Sequence, residues 1–470
     1  MATNPAATGT TAADTRAAEA FGDDAGDPVN ATSSAPGARE SARDRLGVVA
    51  RSPYALWGGF VVAHVVLWLT ALLGDGMPLG DVTLVYLPWA QNAQDFHVIM
   101  GLNAPWVYPV IAMIPVMIPL VAGAAHYVVV WLAMVTLFNG AAFALLLLRG
   151  RRRPVVAAWW WLGFLVVLGP IAMGRLDAIS SAIAIVAVTW LARRPRVAAV
   201  LLAIATWIKV WPAGIILAVI IAVRRRWAVL AWVVGTSVVV VILAVAFGGF
   251  SDLFSFVTQQ TGRGLQIEAP VSAPWMWAAA VHARGVFIYY DQGLHTFQIT
   301  GANSIGAVSG FMTLALAVAV IAVSLIGLRA VLRKAPTSHV LPQLALGIVA
   351  ALIAFNKVGS PQYIDWLAAP VVLGIIMCGR RFLTPAILVA VTAALTQLFY
   401  PYLYDQLLVL NAWVLAALTA RNVMLFVVLG WAIVALWRAG REPRATRQDA
   451  VDPGFDTAQA RTWPLSINRP

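Results

Sequence analysis

VAAVLLAIATWIKVWPAGIILAVIIA, residues 197–222, decides how this chain is built. The run is long and apolar enough to cross a bilayer, which takes about 20 apolar residues. Yet Arg193, Arg194 and Arg196 precede it, and Arg224–Arg226 follow it. Lys and Arg collect in cytoplasmic loops, so both ends belong on one side. The segment must therefore enter the membrane and return. Two short helices satisfy this, with their tip at Lys209–Pro212, where Pro212 interrupts the helix.

Working outward, the same two signals organise the remainder. Other apolar runs lie at about 54–73, 106–122, 126–148, 154–173, 178–192, 227–247, 303–328, 341–355, 366–378, 382–399 and 406–437. Basic clusters at Arg149 and Arg151–Arg153, at Arg329, Arg333 and Lys334, and at Arg380 and Arg381 mark further cytoplasmic loops. Residues 106–122 (WVYPVIAMIPVMIPLVA) hold three prolines and read as a re-entrant or interfacial piece on the outer side. Arg421 interrupts the last run, so 406–420 reads as an outer interfacial helix and 422–437 as the final span. The expected fold class is all-α: a polytopic integral membrane protein of about 12 membrane segments, with a short helical hairpin at 197–222 and interfacial helices on the outer face. Residues 1–50 and 439–470 read as disordered cytoplasmic tails around a transmembrane core at 51–438.

Composition agrees. Of 470 residues, 61% are hydrophobic and 11% charged, with a mean hydropathy of +0.82. Soluble domains carry roughly 25% charged residues, so an ordinary soluble enzyme is excluded. The net charge of +12 would suggest nucleic acid in a soluble protein; here it records topology. On this reading the cytoplasmic loops hold bases only. The nine acids between residues 52 and 437 all fall outside: Asp75, Asp81, Asp95, Asp177, Asp252, Glu268, Asp291, Asp365 and Asp405. Six bases join them there, Arg175, Lys209, Arg263, Arg284, Lys357 and Arg421, so any active site faces the outside.

Several of these residues are candidates for chemistry. Asp81, in the first outer loop, is placed to act as a general base toward a hydroxyl, or is a solvated loop carboxylate, as Asp95 is. In the turn MGRLDAIS (173–180), Arg175 and Asp177 either pair and cap the next helix, or Arg175 faces an anion with Asp177 holding it. A Lys in a bilayer costs about 2.5–3.5 kcal/mol on insertion scales, so Lys209 calls for a role or a partner, or snorkels to the surface. The loop FNKVGSPQYIDW (355–366) sets Asn356, Lys357, Ser360, Gln362 and Tyr363 together, which suits phosphate and sugar. Arg421 is a fourth cation or an interfacial anchor. Aromatics and histidines at 275–295 either stack on sugar rings or form the interfacial belt. There is no HExxH or other metal-ligand spacing, and no P-loop or GxGxxG opening a strand–helix unit. An enzyme would then draw on a lipid-carried substrate, with no metal and no cofactor expected.

Asp81 with Tyr86 in GDVTLVY, WVYP at 106–109, KVWP at 209–212, SPQY at 360–363 after Asn356-Lys357, and ARN at 420–422 resemble, in their order, glycosyltransferase family 87 of the GT-C superfamily. The chain departs from the family in two places. The family often has Asp four residues before the Tyr, and here the gap is five; it commonly has Tyr-Pro-Pro, and here Tyr108-Pro109-Val110 stands. The resemblance implies a GT-C-like fold and transfer of a hexose, mannose first, from a polyprenyl-phosphate donor to a glycolipid or cell-envelope glycan acceptor. Asp81 would be the base, and Lys209, Lys357, Arg175 and Arg421 would bind the donor phosphate. Tyr86, Asp177, Asn356, Gln362 and Tyr363 would bind sugar or acceptor. The implied location is a bacterial plasma membrane, with both termini cytoplasmic. Two other readings stay open: a polyprenyl-phosphate arabinofuranosyltransferase of the same fold, and a polytopic transporter or lipid flippase.

Overall fold

The computed structural model describes residues 48–148, 152–261, 263–301 and 304–441. Arg149, Arg151 and most of both expected tails lie outside these residues. All that follows concerns the unit that begins at Arg51.

The described residues are mostly helical, and among them eight helices are long and apolar enough to cross a membrane: Pro53–Leu73, Ala124–Leu147, Arg152–Ala172, Arg226–Ala246, Ile305–Leu332, Thr337–Ala354, Pro361–Phe399 and Ala412–Ala439. Four shorter apolar helices accompany them, Val110–Ala122, Leu176–Trp190, Pro195–Ile208 and Pro212–Ala222. Burial sorts them. The Leu341–Ala354 helix is almost wholly enclosed; it packs against Ala412–Ala439, Pro212–Ala222, Ser304–Leu332 and Ala368–Cys378. Arg226–Ala246 is only 11% buried over its most apolar window, against 83% around Leu341–Ala354. Its exposed Val, Ile and Leu side chains give it the surface that lipid requires.

The proline-rich run breaks as its prolines demand. Val110–Ala112 and Ile118–Ala122 are 3₁₀ turns around a single α-turn, Met113–Met117. The central apolar run also divides. Lys209 is extended (φ −150°, ψ 133°) after the helix ending at Ile208, and Pro212 sits at the start of the next helix, where its missing N–H costs nothing.

Two expectations change. The last run is one unbroken helix, Ala412–Ala439, passing straight through Arg421. Arg421 is fully buried among protein carbonyls rather than placed at a membrane surface, so nothing requires the helix to stop there. A small antiparallel sheet also joins the helices: β1 Leu265–Gln266, β2 Phe287–Asp291 and β3 Thr296–Thr300, in the order β1–β3–β2. Its β2–β3 hairpin pairs Phe287 with Thr300 and Asp291 with Thr296. Aromatic and β-branched residues favour strands here.

Candidate functional site

A cavity of about 880 Å³ opens among these elements. One part is polar and holds Asp81, Arg175, Lys209, Arg263, Glu268 and Lys357. Another is apolar, with Leu217, Met312, Leu316, Val320, Ile348 and Leu352 from three helices. A shallower apolar groove shares Leu217 and Val320 and includes Ile221, Ile321, Leu325 and Leu328.

Asp81 lies at the start of an unusual turn. Val82–Tyr86 is π-helical, and Leu87 N–H reaches back five residues to Val82 O. A π-turn holds one residue more than an α-turn. It therefore sets Asp81 and Tyr86, five apart, about one turn from each other, as four-residue spacing would in an α-helix. Tyr86 is fully buried and packs against Trp131, with ring centroids 5.0 Å apart. Trp131 in turn donates to Met173 O at 2.9 Å.

Arg175 sits just before the Leu176–Trp190 helix in extended backbone. Its Nε is 2.9 Å from Asp81 Oδ2, its Nη2 donates to Tyr400 Oη at 2.9 Å, and its Nη1 donates to Gly174 O at 3.0 Å. The guanidinium is buried while the Asp81 side chain is about a third exposed, so Arg175 fixes a carboxylate that remains open to the cavity. Asp177 has a different place. It is behind the cavity wall, with Oδ2 2.7 Å from Lys209 Nζ and Oδ1 accepting from Trp366 Nε1 at 2.6 Å. Trp366 stacks on Tyr363 at 4.0 Å and lies nearly parallel to Trp211 at 5.8 Å. Lys209 Nζ also lies 4.8 Å from the Tyr108 ring centroid and 5.4 Å from that of Tyr363. Carboxylate and aromatic faces together pair the buried ammonium that the sequence left unexplained.

Two loops are fastened together beside it. Gln266 N–H donates to Lys357 O at 3.1 Å, and Ser360 Oγ donates to Gln266 Oε1 at 3.2 Å. Arg421 Nη2 donates to both Glu268 O and Gly359 O at 3.1 Å. Gly359 is required: a Cβ there would collide with the backbone of Glu268 and Ala269. Asn356 Oδ1 accepts from Val358 N–H at 2.9 Å, forming the turn that presents Lys357. Burial, with Arg263 close by, holds the Lys357 ammonium below the ordinary lysine pKa.

Of the residues singled out in the sequence, Asp81, Arg175, Lys209, Asn356, Lys357, Ser360, Gln362 and Tyr363 line the cavity. Tyr86, Asp177 and Arg421 do not; each is buried behind a lining residue. Asp95 is exposed and away from the cavity, and of the aromatic and histidine group at 275–295 only His295 reaches it, at the hairpin tip. Sequence reasoning missed Arg263, Glu268, Tyr400 and Tyr404 as cavity residues. One signal for Glu268 was available: it is the only glutamate between residues 41 and 441.

A family model described as glycosyltransferase family 87 matches residues 106–354, more than half of the chain. The chain belongs to glycosyltransferase family 87. This family-87 protein is therefore a glycosyltransferase, and its apolar helices make it a multi-pass membrane protein. The matched stretch contains Tyr108, Arg175, Asp177, Lys209, Arg263 and Glu268; Asp81 precedes it, and the Asn356–Tyr363 loop follows it. No curated protein and no solved structure matches the chain.

Proposed function

We propose that this family-87 enzyme transfers a hexose, mannose before other sugars, from a polyprenyl-phosphate donor to a hydroxyl of a glycolipid or cell-envelope glycan on the outer face of a bacterial plasma membrane. One observation carries the donor class. The cavity joins a cationic end to an apolar end between the Pro212–Ala222 and Ser304–Leu332 helices. A ligand with an anionic head and a long hydrocarbon tail satisfies both ends at once; a nucleotide sugar leaves the apolar end empty.

The step balances as a single displacement. Asp81 accepts the proton of the acceptor hydroxyl, whose oxygen bonds to the sugar's anomeric carbon. The bond from that carbon to the phosphate oxygen breaks, and the electron pair leaves with the polyprenyl phosphate. Fixed cations stabilise the charge that develops on the leaving group. Arg175 and Lys209 are each ion-paired with a carboxylate; Lys357, which lines the cavity with the like charge of Arg263 close to it, is assigned direct contact with the phosphate. Arg175 and Lys209 add their field, and Arg421 holds the loops. Asn356, Gln362 and Tyr363 face the sugar and acceptor, while Tyr86 and Asp177 support Asp81 and Lys209 from behind.

Purified protein in lipid nanodiscs, given radiolabelled polyprenyl-phosphate mannose and a lipid acceptor, should move label into a larger glycolipid. Asp81→Asn should lose at least ~10²-fold in rate and keep donor binding. Undiminished turnover in that variant would overturn the base assignment, and label that crosses the bilayer unchanged would favour a transporter.

A further inference from the structure

Glu268 has one buried carboxylate oxygen for which no donor stands at hydrogen-bond geometry among the described residues, with Gln266 as a polar neighbour of the carboxylate. The residue is buried and is one of those that line the cavity. Oε1 accepts from Tyr404 Oη at 2.5 Å. Oε2 is shielded from solvent and accepts from nothing among the described residues. The backbone that carries it is fixed. Its own carbonyl is held by Arg421, and its loop is pressed against Gly359. Arg421 forms no ion pair with it among the described residues, the Nη2 group being committed to backbone carbonyls. A buried carboxylate oxygen without a donor is costly, and native proteins rarely leave one so. A donor supplied by the ligand relieves that cost.

The surroundings select the donor's chemistry. A carboxylate repels phosphate, so the anionic end of a ligand must lie elsewhere, against Lys357 and Arg263. A sugar ring carries several O–H donors and no charge. The wall on which Glu268 sits is continuous with the one holding Asp81: Arg175 links Asp81 to Tyr400, Tyr400 packs edge-on against Tyr404 at 5.2 Å, and Tyr404 donates to Glu268. A sugar whose anomeric carbon must meet both the phosphate and the hydroxyl activated by Asp81 therefore passes in front of this wall.

We propose that Glu268 recognises the transferred sugar, its carboxylate turning toward the cavity to accept a hydrogen bond from a ring hydroxyl of the donor. This rests on the polyprenyl-phosphate reading above and deepens it. Within the polar part of the cavity the tasks are then separate: the cations hold the phosphate, and Glu268 holds the sugar.

The test compares two probes on the full chain in nanodiscs, a polyprenyl-phosphate mannose and the sugar-free polyprenyl phosphate of the same length. Wild-type protein should bind both. Glu268→Gln should weaken the sugar-bearing probe by about tenfold or more, since hydrogen bonds to charged groups are worth roughly 1.5–3 kcal/mol. The sugar-free probe should bind that variant as wild type does, which also shows that it is folded. Should Glu268→Gln fail to fold, Glu268→Asp keeps the charge, withdraws it by one methylene, and should show the same selective loss. Equal weakening of both probes would assign Glu268 a structural role and overturn the proposal. So would unchanged binding of both, or a rise confined to the acceptor KM. Wild-type protein that binds neither probe would bring down the donor reading itself, an outcome distinct from all of these.

Discussion

At the residue scale, the cations of the site differ in the charge that stands beside each of them. Lys209 and Arg175 are buried with carboxylate partners at 2.7 and 2.9 Å. Lys357 instead has a like charge, Arg263, near it, and burial with that neighbour lowers its pKa below the ordinary value of 10.5. The sign of the resulting pH dependence follows. The ammonium is the form that attracts phosphate; a lowered pKa means it is lost at a lower pH than an ordinary lysine would be. In the unliganded enzyme, donor capture measured as kcat/KM should therefore fall on the alkaline side, starting below pH 10.5. Lys357→Arg should move that fall to higher pH, because a guanidinium stays charged throughout the range. An alkaline limb that does not move in this variant would remove Lys357 from donor capture.

At the element scale, the π-turn at Val82–Tyr86 gives the clearest test. It accounts physically for the five-residue gap between Asp81 and Tyr86, since the extra residue is absorbed as a bulge and the flanking helix continues. Leu84 is the exposed member of that turn, at 61%. Deleting Leu84 should convert the π-turn to an α-turn and keep transfer within about tenfold of wild type, since the base stays in its attack geometry. Inserting an alanine after Leu84 should rotate Asp81 away and abolish transfer while donor binding persists. A deletion variant that binds donor and has lost all transfer would show that the bulge itself is needed.

The same scale shows what a sequence can reveal. Asp81, Arg175 and Lys209 were legible because each is a charge in an apolar neighbourhood, and the break at Lys209–Pro212 because proline cannot continue a helix. Arg421 was legible as a residue of interest but not in its surroundings. Its partners, Glu268 O and Gly359 O, lie 153 and 62 residues away in the chain, and backbone carbonyls leave no mark in a sequence. The sheet was hidden differently. Its strands have two to five residues within a long polar-aromatic segment, too short for alternation to be read, although Phe287–Asp291 and Thr296–Thr300 flank a Gly-containing turn as hairpin strands do.

At the scale of the whole molecule, topology is the proposal on which the outer-face assignment depends. In a Cys378→Ala background, Ser251→Cys in the exposed segment after the Arg226–Ala246 helix should react with a membrane-impermeant maleimide in intact cells. Arg225→Cys, exposed at the other end of that helix, should react only after permeabilisation. The reverse pattern would place the cavity's polar end on the cytoplasmic side.

The fastening of the two loops by Arg421 has a kinetic corollary. One guanidinium holds Glu268 O and Gly359 O, and Gly359 closes the gap between their strands of backbone. The wall that meets the donor is thus ordered before the donor arrives. Ordering a loop at the moment of binding costs about 1–2 kcal/mol per backbone residue fixed, and here folding has already met that cost. Binding energy from the lipid tail is then left to position the head.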